Sequence, residues 1–520
     1  MKISNQKSTN KLAINIPADG LFLAILNKAN GDLSEENCTR IIKKYIDRHL
    51  EANPDIILLN VCYRRSLTPS DVFDSYLYDI STDENGHIVK TLSPVTDNVS
   101  KYFSSFFSCA RVLLQNEIDI YKILTNHIRE SGCKVFLSVR MNDGHYTDNP
   151  AINSSFALKN NSMHTIFHDG VALDFSQEAV QNYFYEYIQE LLDNYFVDGI
   201  ELDWLRYPMV LPPELSSDYS ILNNYMKNIR NLLDSYDREL SLAVRILPNE
   251  QNNMNNGVDA CQWVADGTVD MITIENFYIP TNFEMPIAHW KSNIQERNTA
   301  QNRYQLFCGS DWGVSCMSGY NIAMTPALVR GFATECLSHG ADGIYLFNFF
   351  EENDTSSLEL TVDSSNVVYL KNCFTERIKA AKEPYSLPRR YVHIGDSNQR
   401  YPIILHANSS YKFSYKIKKP FEQCRIIIGL DKDISSSVFV SELHIGIPLQ
   451  NAEVYTGFDY IPETEIGKDN HFIYSVSQAA PYIKSALLPI SLCETPFIDI
   501  VVQNNTSQIA NILWIELSFE

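Results

Sequence analysis

Apolar and polar positions follow two alternating patterns along the first 380 residues of the chain. Short apolar runs alternate with longer segments in which apolar residues recur three and four positions apart. The short runs predict strands, and the longer segments predict helices with one apolar face. Strands and helices in regular alternation are typical of a parallel sheet with helical crossovers.

The pattern predicts eight strands, with helical segments between them and after the last. This count favours an α/β fold of the (β/α)8 TIM barrel type, with long loops after strands two and three. We predict the strands at Leu21–Leu26, Ile56–Val61, Val135–Arg140, within Asp198–Leu205, and at Leu240–Ile246, Met271–Glu275, Gln305–Cys308 and Ile344–Asn348.

Helical periodicity stops after residue 382. We therefore assign residues 1–382 to the barrel, 383–390 to a proline-containing linker and 391–520 to a C-terminal domain. The short alternating strands of the last segment predict an all-β sandwich. Such a domain either binds sugar or braces a catalytic domain, and the lack of an evident aromatic platform in its sequence favours bracing.

Composition narrows the choice of partners. The chain has 520 residues and a net charge of −21, which argues against a nucleic acid or an anionic membrane as partner. No segment has the roughly 20 apolar residues of a membrane span, and no signal-peptide core is visible. We expect a cytoplasmic protein if Met1 is the native start, or else an export signal that has been removed. The eleven cysteines include no CxxC pair, which predicts buried thiols rather than disulfides.

The fourth predicted strand carries two acids on one face. Ile200 and Leu202 point to one side of the strand, and Glu201 and Asp203 to the other. A strand of a parallel sheet is normally apolar on both faces, so inward acids must be paired, hydrogen-bonded or functional. The structural alternative is a salt bridge with an arginine, for which the candidates are Arg140, Arg206 and Arg245.

Four helix-to-strand junctions share one form, in which an aspartate opens the strand. These aspartates are Asp55, Asp198, Asp270 and Asp342, at the starts of strands two, four, six and eight. Alternate strands of a barrel contribute to the same layer of inward side chains. Five residues further on, the predicted layer near the C-terminal mouth is Asn60, Asp203, Glu275 and Phe347.

Two carboxylates at a barrel mouth suit glycoside hydrolysis. One carboxyl group protonates the leaving oxygen, and the other is the nucleophile or activates water. We predict Asp203 and Glu275 as the catalytic pair, with Glu201 tuning Asp203 from one layer deeper. The predicted substrate-binding residues follow the strand ends: Asn60, Arg140, Asn142, Asp143, His145, Arg206, Tyr278, Asp311, Trp312 and Asn348. Phe347 and Trp312 would either form a floor for a sugar ring or belong to the core.

A metal-dependent hydrolase is an alternative, because His145, His164 and His168 lie in one loop. Strand one lacks the inward histidine pair expected of metal-dependent barrel hydrolases, so we predict neither a metal nor another cofactor.

The segment Asp198–Pro208 resembles the D-G-I-x-x-D-x-x-R-Y-P signature of the glycosyl hydrolase-like 10 family, without a gap over eleven positions. Leu173–Ser176 also resembles the lead into strand four in that family. The resemblance implies a TIM-barrel glycosidase with Asp203 as an acidic site residue. The segment is also similar to the D-G-x-D-x-D-W-E motif of the chitinase-type family 18. The catalytic glutamate of that motif falls at Leu205, which argues against catalysis by a substrate acetamido group.

The sequence therefore predicts a glycoside hydrolase that acts on an oligosaccharide or polysaccharide. A second reading is a non-catalytic carbohydrate-binding protein on the same scaffold, because a barrel fold by itself guarantees no activity. The sequence does not indicate the oligomeric state.

Overall fold

The computed structural model describes residues 10–93, 101–144, 152–165, 172–276, 281–311, 313–317, 320–348, 375–395, 401–452, 472–473 and 480–520. The chain forms two compact units. The first takes its residues from 1–277, 286–309 and 341–350, and the second from 278–285, 310–340 and 351–520. In this division residues 278–285, 310–340 and those from 351 onward group with the C-terminal sheets, and the domain boundary at residue 382 stays a prediction.

The first unit contains the predicted closed barrel of eight parallel strands. Each strand neighbours the strands before and after it in the chain, and β1 closes against β8. The strands are β1 Lys11–Ile16, β2 Ile56–Asn60, β3 Lys134–Arg140, β4 Gly199–Asp203, β5 Ser241–Ile246, β6 Met271–Ile274, β7 Gln305–Ser310 and β8 Gly343–Leu346.

The predicted first strand is wrong. The run Leu21–Leu26 lies inside an α-helix, Ala18–Lys28, and the strand is the preceding segment Lys11–Ile16. A short continuous apolar run fits a buried helix as well as a buried strand, so periodicity did not separate the two. The other seven strands lie where the pattern predicts them, within a few residues at each end.

The helices of the first unit are numbered from α1 in chain order. They are α1 Ala18–Lys28, α2 Glu35–Leu50, α3 Lys101–Gln115, α4 Ile120–Glu130, α5 Ser155–Lys159, α6 Glu178–Asn194, α7 Ser220–Asp234, α8 Glu250–Met254, α9 Ala260–Ala265 and α10 Ile287–Arg297. Polar side chains cap several of them. Asp119, for example, accepts hydrogen bonds from the amides of Tyr121 and Lys122 and so satisfies two unpaired donors at the start of α4.

The four junction aspartates make one common contact. Each accepts a hydrogen bond, through Oδ2, from a backbone N–H of the strand before its own. The pairs are Asp55 with Leu12 at 2.7 Å, Asp198 with Val135 at 3.0 Å, Asp270 with Leu242 at 2.8 Å and Asp342 with Leu306 at 2.8 Å. Each aspartate thereby fixes an even-numbered strand to the odd-numbered strand beside it.

The interior of the barrel is apolar at its base. A buried cluster combines inward side chains from seven strands: Ala13, Ile56, Leu58, Phe136, Ala243, Met271, Phe307, Tyr345 and Phe347. Because inward positions alternate along each strand, the next inward residues toward the strand ends include Asn60, Arg245, Thr273 and Gly309. The barrel therefore becomes polar toward its C-terminal mouth.

The loops after β2 and β3 hold each other in place. The Asp74 carboxylate accepts hydrogen bonds from the amides of Ser155 and Phe156 and from the amide of Ile80. The first loop also carries a hairpin of two strands, Tyr78–Thr82 and Ile88–Leu92. These predicted loops thus have a packed structure of their own in the residues that are described.

The second unit contains helix α11, Pro326–Ser338, and two antiparallel sheets that fit the predicted β-sandwich. The strands are β9 Arg389–His393, β10 Ile403–Leu405, β11 Ser410–Lys416, β12 Cys424–Leu430, β13 Ser436–Val440, β14 Ile445–Pro448, β15 Gln450–Asn451, β16 Tyr482–Leu488, β17 Phe497–Asn504 and β18 Ala510–Phe519. One sheet has the order β9-β18-β12-β16-β15, with β10 also paired to β18. The other has the order β11-β17-β13-β14.

The end of the predicted linker is part of this unit. Arg389 and Arg390 open β9, and the buried Arg390 donates hydrogen bonds to the fully buried Glu516 from Nε at 2.6 Å and Nη2 at 2.5 Å. A buried charge pair of this kind needs close geometry to offset desolvation. Residues 389 and 390 are therefore structural members of the sandwich.

Two further properties concern the part of the chain that is described. Nine cysteines there are buried and form no disulfide with one another. No helix there combines the length and the apolar character that a membrane crossing requires.

Candidate active site

Arg245 connects the two acids predicted as the catalytic pair. Its Nη1 donates to Oδ1 and Oδ2 of Asp203, at 2.8 and 3.0 Å, and its Nε donates to Oε2 of Glu275 at 2.8 Å. The guanidinium carbon lies 3.4 Å from the centre of the Phe347 ring. The structure thus brings together three members of the predicted layer, Asp203, Glu275 and Phe347, around one arginine of β5.

These charges are almost fully removed from solvent. Asp203 is 1 %, Glu275 2 % and Arg245 2 % exposed. Burial lowers the pKa of the Arg245 guanidinium, but the Asp203 and Glu275 carboxylates outweigh burial and hold that pKa above its ordinary value. The arrangement therefore favours the charged form of the arginine.

Backbone contacts hold Asp203 and Glu275 at the strand ends. The amide of Leu205 donates to Asp203 Oδ1 at 3.1 Å, which fixes the carboxylate where the chain leaves β4. The amide of Glu275 donates to the carbonyl of Ile246, so Glu275 extends the β6 pairing by one residue.

Gly309 of β7 leaves the space that the Glu275 side chain fills. A Cβ atom at Gly309 would lie 2.6 Å from both Cβ and Cδ of Glu275 and would overlap its Oε2. Real Cβ atoms do not approach other atoms so closely, so a side chain at position 309 would move Glu275. The glycine is thus required by the position of the carboxylate.

Glu201 lies deeper in the barrel, two residues before Asp203 on β4. It is fully buried, and its Oε1 accepts hydrogen bonds from Ser138 Oγ at 2.7 Å and from Tyr345 OH at 2.9 Å. Burial, reinforced by the nearby Asp203 charge, raises the pKa of Glu201 to about 8. Glu201 is therefore predominantly protonated at neutral pH, whereas its neighbour Asp203 faces a cation.

Several inward polar atoms have no hydrogen-bond partner among the described residues. They are Oδ1 of Asn15, Oδ1 of Asn60, Oε2 of Glu201 and Oγ1 of Thr273, and all four residues are buried. Asn60 stands beside Ser138 in the β2–β3 pairing, and Ser138 stands beside Glu201 in the β3–β4 pairing. Buried polar atoms in proteins usually have partners, so these atoms can accept or donate hydrogen bonds to a ligand or to ordered water.

Arg140 and Asp143 form a second buried pair at the end of β3. Arg140 Nη1 donates to Asp143 Oδ2 at 2.8 Å, and its guanidinium lies 4.4 Å from the centre of the Tyr63 ring. Burial lowers the pKa of Arg140, but Asp143, Tyr63 and Asp203 together raise that pKa above its ordinary value. Arg64, from the loop after β2, donates to the carbonyl of Asp143 and joins this pair.

Arg206 follows β4 and is half-buried. Its guanidinium carbon lies 5.5 Å from the centre of the Phe347 ring, which Arg245 also contacts. Burial and the positive charges of Arg140 and Arg245 lower the pKa of Arg206, in spite of the nearby Asp143 and Asp203. The mouth therefore holds cations close enough to repel one another.

The other predicted residues differ in their surroundings. The side chain of Asn142 forms hydrogen bonds with backbone groups: its Oδ1 accepts from the amide of Leu173, and its Nδ2 donates to the carbonyl of Met209. Asn348 follows β8 with a left-handed backbone, φ 48°. Asp311 belongs to the second unit, and its carbonyl accepts from Thr281. His145, Tyr278 and Trp312 lie outside the described residues, as does His168.

Within the described ranges, no group of three histidine, cysteine, aspartate or glutamate side chains is placed to hold a metal ion. The ligand capacity at the mouth is instead that of buried carboxylates, guanidinium groups and an aromatic ring.

Three residues of the site were not among the predicted catalytic or substrate-binding residues. The strand β5 reads Ser241-Leu-Ala-Val-Arg-Ile246, in which Ala243 and Arg245 share one face opposite Leu242 and Val244. That parity indicates an inward arginine, and the structure shows Arg245 in the salt bridge with Asp203 that was the structural alternative for the strand-four acids. Its second contact, with Glu275, was not predicted. Tyr345 and Gly309 could not be recognised as site residues from the sequence. An inward tyrosine on a strand usually belongs to the core, and a glycine in a strand usually marks a bulge or a close approach of another backbone.

Comparison with known proteins yields no family. No family model matches the chain, and no curated protein matches it. The resemblance of residues 198–208 to the glycosyl hydrolase-like 10 family therefore stays a prediction.

Several solved structures align with the chain at low identity and low TM-score. The PgaB (BpsB) glycoside hydrolase domain from Bordetella bronchiseptica aligns with 10 % identity and a TM-score of 0.39, over 65 % of this chain and 94 % of that one. An alpha-amylase from Lactobacillus plantarum aligns with 12 % identity and a TM-score of 0.37, over 85 % of this chain and 94 % of that one. Alpha-L-fucosidase isoenzyme 1 from Paenibacillus thiaminolyticus aligns with 11 % identity and a TM-score of 0.35, over 95 % and 96 %. Likenesses at this level leave the activity of this chain to be inferred from its own site.

Proposed function

We propose that the protein is a glycoside hydrolase, with Asp203 and Glu275 as its two catalytic carboxyl groups. The observation that carries this proposal is the convergence of both acids on Arg245 at the C-terminal ends of β4 and β6. In barrel enzymes this end of the strands holds the chemistry. Phe347, in contact with the same arginine, is buried and belongs to the apolar cluster of the barrel interior, so the carboxylates alone carry the proposal.

The two acids must differ in protonation for hydrolysis. Both acids form ion pairs with Arg245, at 2.8 Å each. A substrate that separates one of them from Arg245 would raise the pKa of that carboxyl group, because a buried acid that loses its cation binds a proton more tightly. That group can then protonate the glycosidic oxygen as the C–O bond breaks, while the other carboxylate remains ionised to act as nucleophile or to deprotonate water.

Glu201 has a supporting role in this proposal. A protonated Glu201 adds no negative charge below Asp203, so Arg245 is shared between Asp203 and Glu275 and not with a third carboxylate. The hydrogen bonds from Ser138 and Tyr345 fix the orientation of Glu201.

The test is hydrolysis of a panel of oligosaccharides and polysaccharides, with product analysis by chromatography and the anomeric configuration followed by NMR. Asp203→Asn and Glu275→Gln should each lower kcat by a factor of about 10² to 10⁴, the usual contribution of a general acid or base. Asp218→Asn, at an exposed position, is the matched control. Full activity of both site variants on the cognate glycan would refute the assignment.

A second candidate function is carbohydrate binding without turnover. One observation favours it: Arg245 already occupies both carboxylates, as in a structural charge cluster. Binding of a glycan that wild type, Asp203→Asn and Glu275→Gln all leave uncleaved would support this function over hydrolysis.

A further inference from the structure

We infer that Glu201 sets the upper pH limit of the site, which is intact only while Glu201 carries a proton on Oε2, and that Tyr345 and Ser138 are the residues that position this proton. The inference deepens the proposed function and rests on it, because the limit applies to the reaction of Asp203 and Glu275. Glu201 acts through these two acids and does not itself touch the substrate.

The first step concerns the neighbours of Glu201 in the barrel. In the strand register, Glu201 stands between Ser138 of β3 and Ala243 of β5. Tyr345 belongs to β8, which lies on the opposite side of the barrel from β4, and its phenol crosses the interior to reach Glu201. A hydroxyl, a methyl group and a phenol supply no positive charge. These neighbours therefore suit a protonated Glu201 better than an ionised one.

The second step concerns the oxygen that carries the proton. Both hydrogen bonds, from Ser138 Oγ at 2.7 Å and from Tyr345 OH at 2.9 Å, go to Oε1 of Glu201. A protonated carboxyl group has one oxygen that only accepts and one that carries the O–H. Oε2 is buried and has no hydrogen-bond partner among the described residues. The two donors therefore select Oε1 as the carbonyl oxygen, and the proton lies on Oε2.

The third step concerns the charged and titratable groups around Glu201. Those that act on it are Asp203 on its own strand, Arg245 on β5 and Tyr345 on β8, while Arg140 on β3 and Glu275 after β6 also point inward. Burial and the charge of Asp203 raise the pKa of Glu201, and its hydrogen bonds and Arg245 lower it, with a net value of about 8. Loss of the Glu201 proton would place a third carboxylate below Asp203 and Glu275. This carboxylate would compete with them for Arg245, which binds both.

The fourth step gives the sign of the pH dependence. The site keeps its arrangement at neutral pH and loses it as Glu201 ionises, so kcat/KM should fall about tenfold per pH unit above about pH 8. The hydrogen bonds from Ser138 and Tyr345 lower the pKa of Glu201, so removal of either donor raises that pKa. The limit then moves to higher pH. A general loss of stability would not widen the active range in this way.

The experiment measures kcat/KM between about pH 5 and pH 10 on the glycan that wild type cleaves. Glu201→Gln cannot ionise and should lack the alkaline decline, whatever its absolute rate. Tyr345→Phe and Ser138→Ala should each move the midpoint of the decline upward by about one pH unit, the effect of one hydrogen bond to a charged group. Tyr225→Phe is the matched control, because Tyr225 is buried and its hydroxyl has no partner among the described residues. Its profile should equal that of wild type.

Infrared difference spectroscopy tests the proton without turnover. At neutral pH, the wild-type spectrum minus that of Glu201→Gln should contain the C=O stretch of a protonated carboxyl group. This band should disappear as the pH rises, with the midpoint of the activity decline. In Tyr345→Phe the band should move to higher frequency, because Oε1 accepts one hydrogen bond fewer. Tyr225→Phe should leave the band in place.

The outcomes separate the two proposals. Cleavage with the same alkaline decline in wild type and Glu201→Gln would overturn the inference and leave the proposed function standing, as would cleavage without a carboxyl band at neutral pH. A band that titrates and shifts as expected, in a protein that cleaves no glycan, would overturn the proposed function and support the position of the proton. Absence of both cleavage and band would overturn both.

Discussion

The Asp203 carboxylate accepts two hydrogen bonds from a single nitrogen of Arg245, Nη1, at 2.8 and 3.0 Å. Both side chains are almost fully buried, and the same arginine donates through Nε to Glu275. The two carboxylates at this point of the barrel therefore share one guanidinium group.

Replacing Arg245 by methionine should destabilise the fold strongly. The substitution removes the guanidinium group that both buried carboxylates bind, and breaking a buried charge pair in this way typically costs about 3–5 kcal/mol. Urea unfolding at pH 7 measures the change in the free energy of unfolding. The loss in free energy of unfolding should be smaller at lower pH, because protonation of Asp203 and Glu275 removes their negative charges.

The triple variant Arg245→Met, Asp203→Asn, Glu275→Gln is the control for this prediction. It removes the charges together, so most of the lost stability should return. If Arg245→Met alone were as stable as wild type at pH 7, the charge balance described above would be wrong.

Glu201 predicts a pH dependence of stability. Its pKa is about 8 in the folded protein, against an ordinary value of 4.5 for a glutamate. Between these values the folded state binds a proton that the unfolded state has released, so this group makes stability fall as the pH rises. The slope is about 1 kcal/mol per pH unit over that window and ends above pH 8.

The matched variant is Glu201→Gln, which resembles the protonated acid in shape and charge. The free energy of unfolding of this variant should not show the pH-dependent loss caused by Glu201. The difference between the variant and wild type should therefore change in favour of the variant from pH 5 to pH 8. Thermal and urea unfolding at four pH values measure the difference. Parallel curves for the two proteins would show that Glu201 ionises normally.

Much of the barrel could be predicted from the sequence, and the exceptions have physical reasons. The repeated junction Asp198-Gly-Ile and its counterparts placed the even-numbered strands, because the aspartates bind backbone of the preceding strand at fixed positions. The run Leu21–Leu26 was wrongly predicted as a strand, because a continuous apolar run also suits a buried helix. The grouping of residues 310–340 with the C-terminal sheets depends on packing between distant segments, which no local pattern encodes.

The positions of the two acids could be predicted from the sequence, but their hydrogen-bond partners could be predicted only in part, and their role as site residues stays a prediction. Asp203 and Glu275 follow from register counting, but the contacts of Arg245 depend on which rotamer a long side chain adopts between two strands. Asn142 shows the converse case, because a polar residue at a strand end can serve the backbone of two loops instead of a ligand. The position of a residue in the sequence indicates the face of the strand on which it lies, but not the group to which its side chain hydrogen-bonds.

Gly309 provides a test of how closely Glu275 is positioned. Gly309→Ala should displace the Glu275 side chain, since the new Cβ would lie 2.6 Å from two of its carbon atoms. Displacement of a catalytic group by about 1 Å can cost about 10²-fold in rate. We expect kcat on the cognate glycan to fall by that order, with circular dichroism showing an intact fold. Unchanged kcat would place Glu275 outside the catalytic pair.

The junction aspartates should stabilise the barrel as separate, additive units. Asp198 and Asp342 each accept one backbone N–H, from Val135 and Leu306, and lie on strands at opposite sides of the barrel. Replacing either by alanine should cost about 1 kcal/mol for the lost hydrogen bond, and more where the backbone N–H becomes unsatisfied. Distant sites without shared partners add, so the double variant should lose the sum of the two.

Asparagine at the same positions separates hydrogen bonding from charge. Asn retains an oxygen that can accept from the backbone but loses the ion pair that Asp342 makes with Lys291 at 2.7 Å. Because Lys291 is about one-third exposed, that pair should contribute less than about 1 kcal/mol. Urea unfolding should therefore rank wild type, Asn and Ala in descending stability, with Asn nearer to wild type. An Asn variant as unstable as Ala would mean that the aspartates act through charge and not by fixing neighbouring strands.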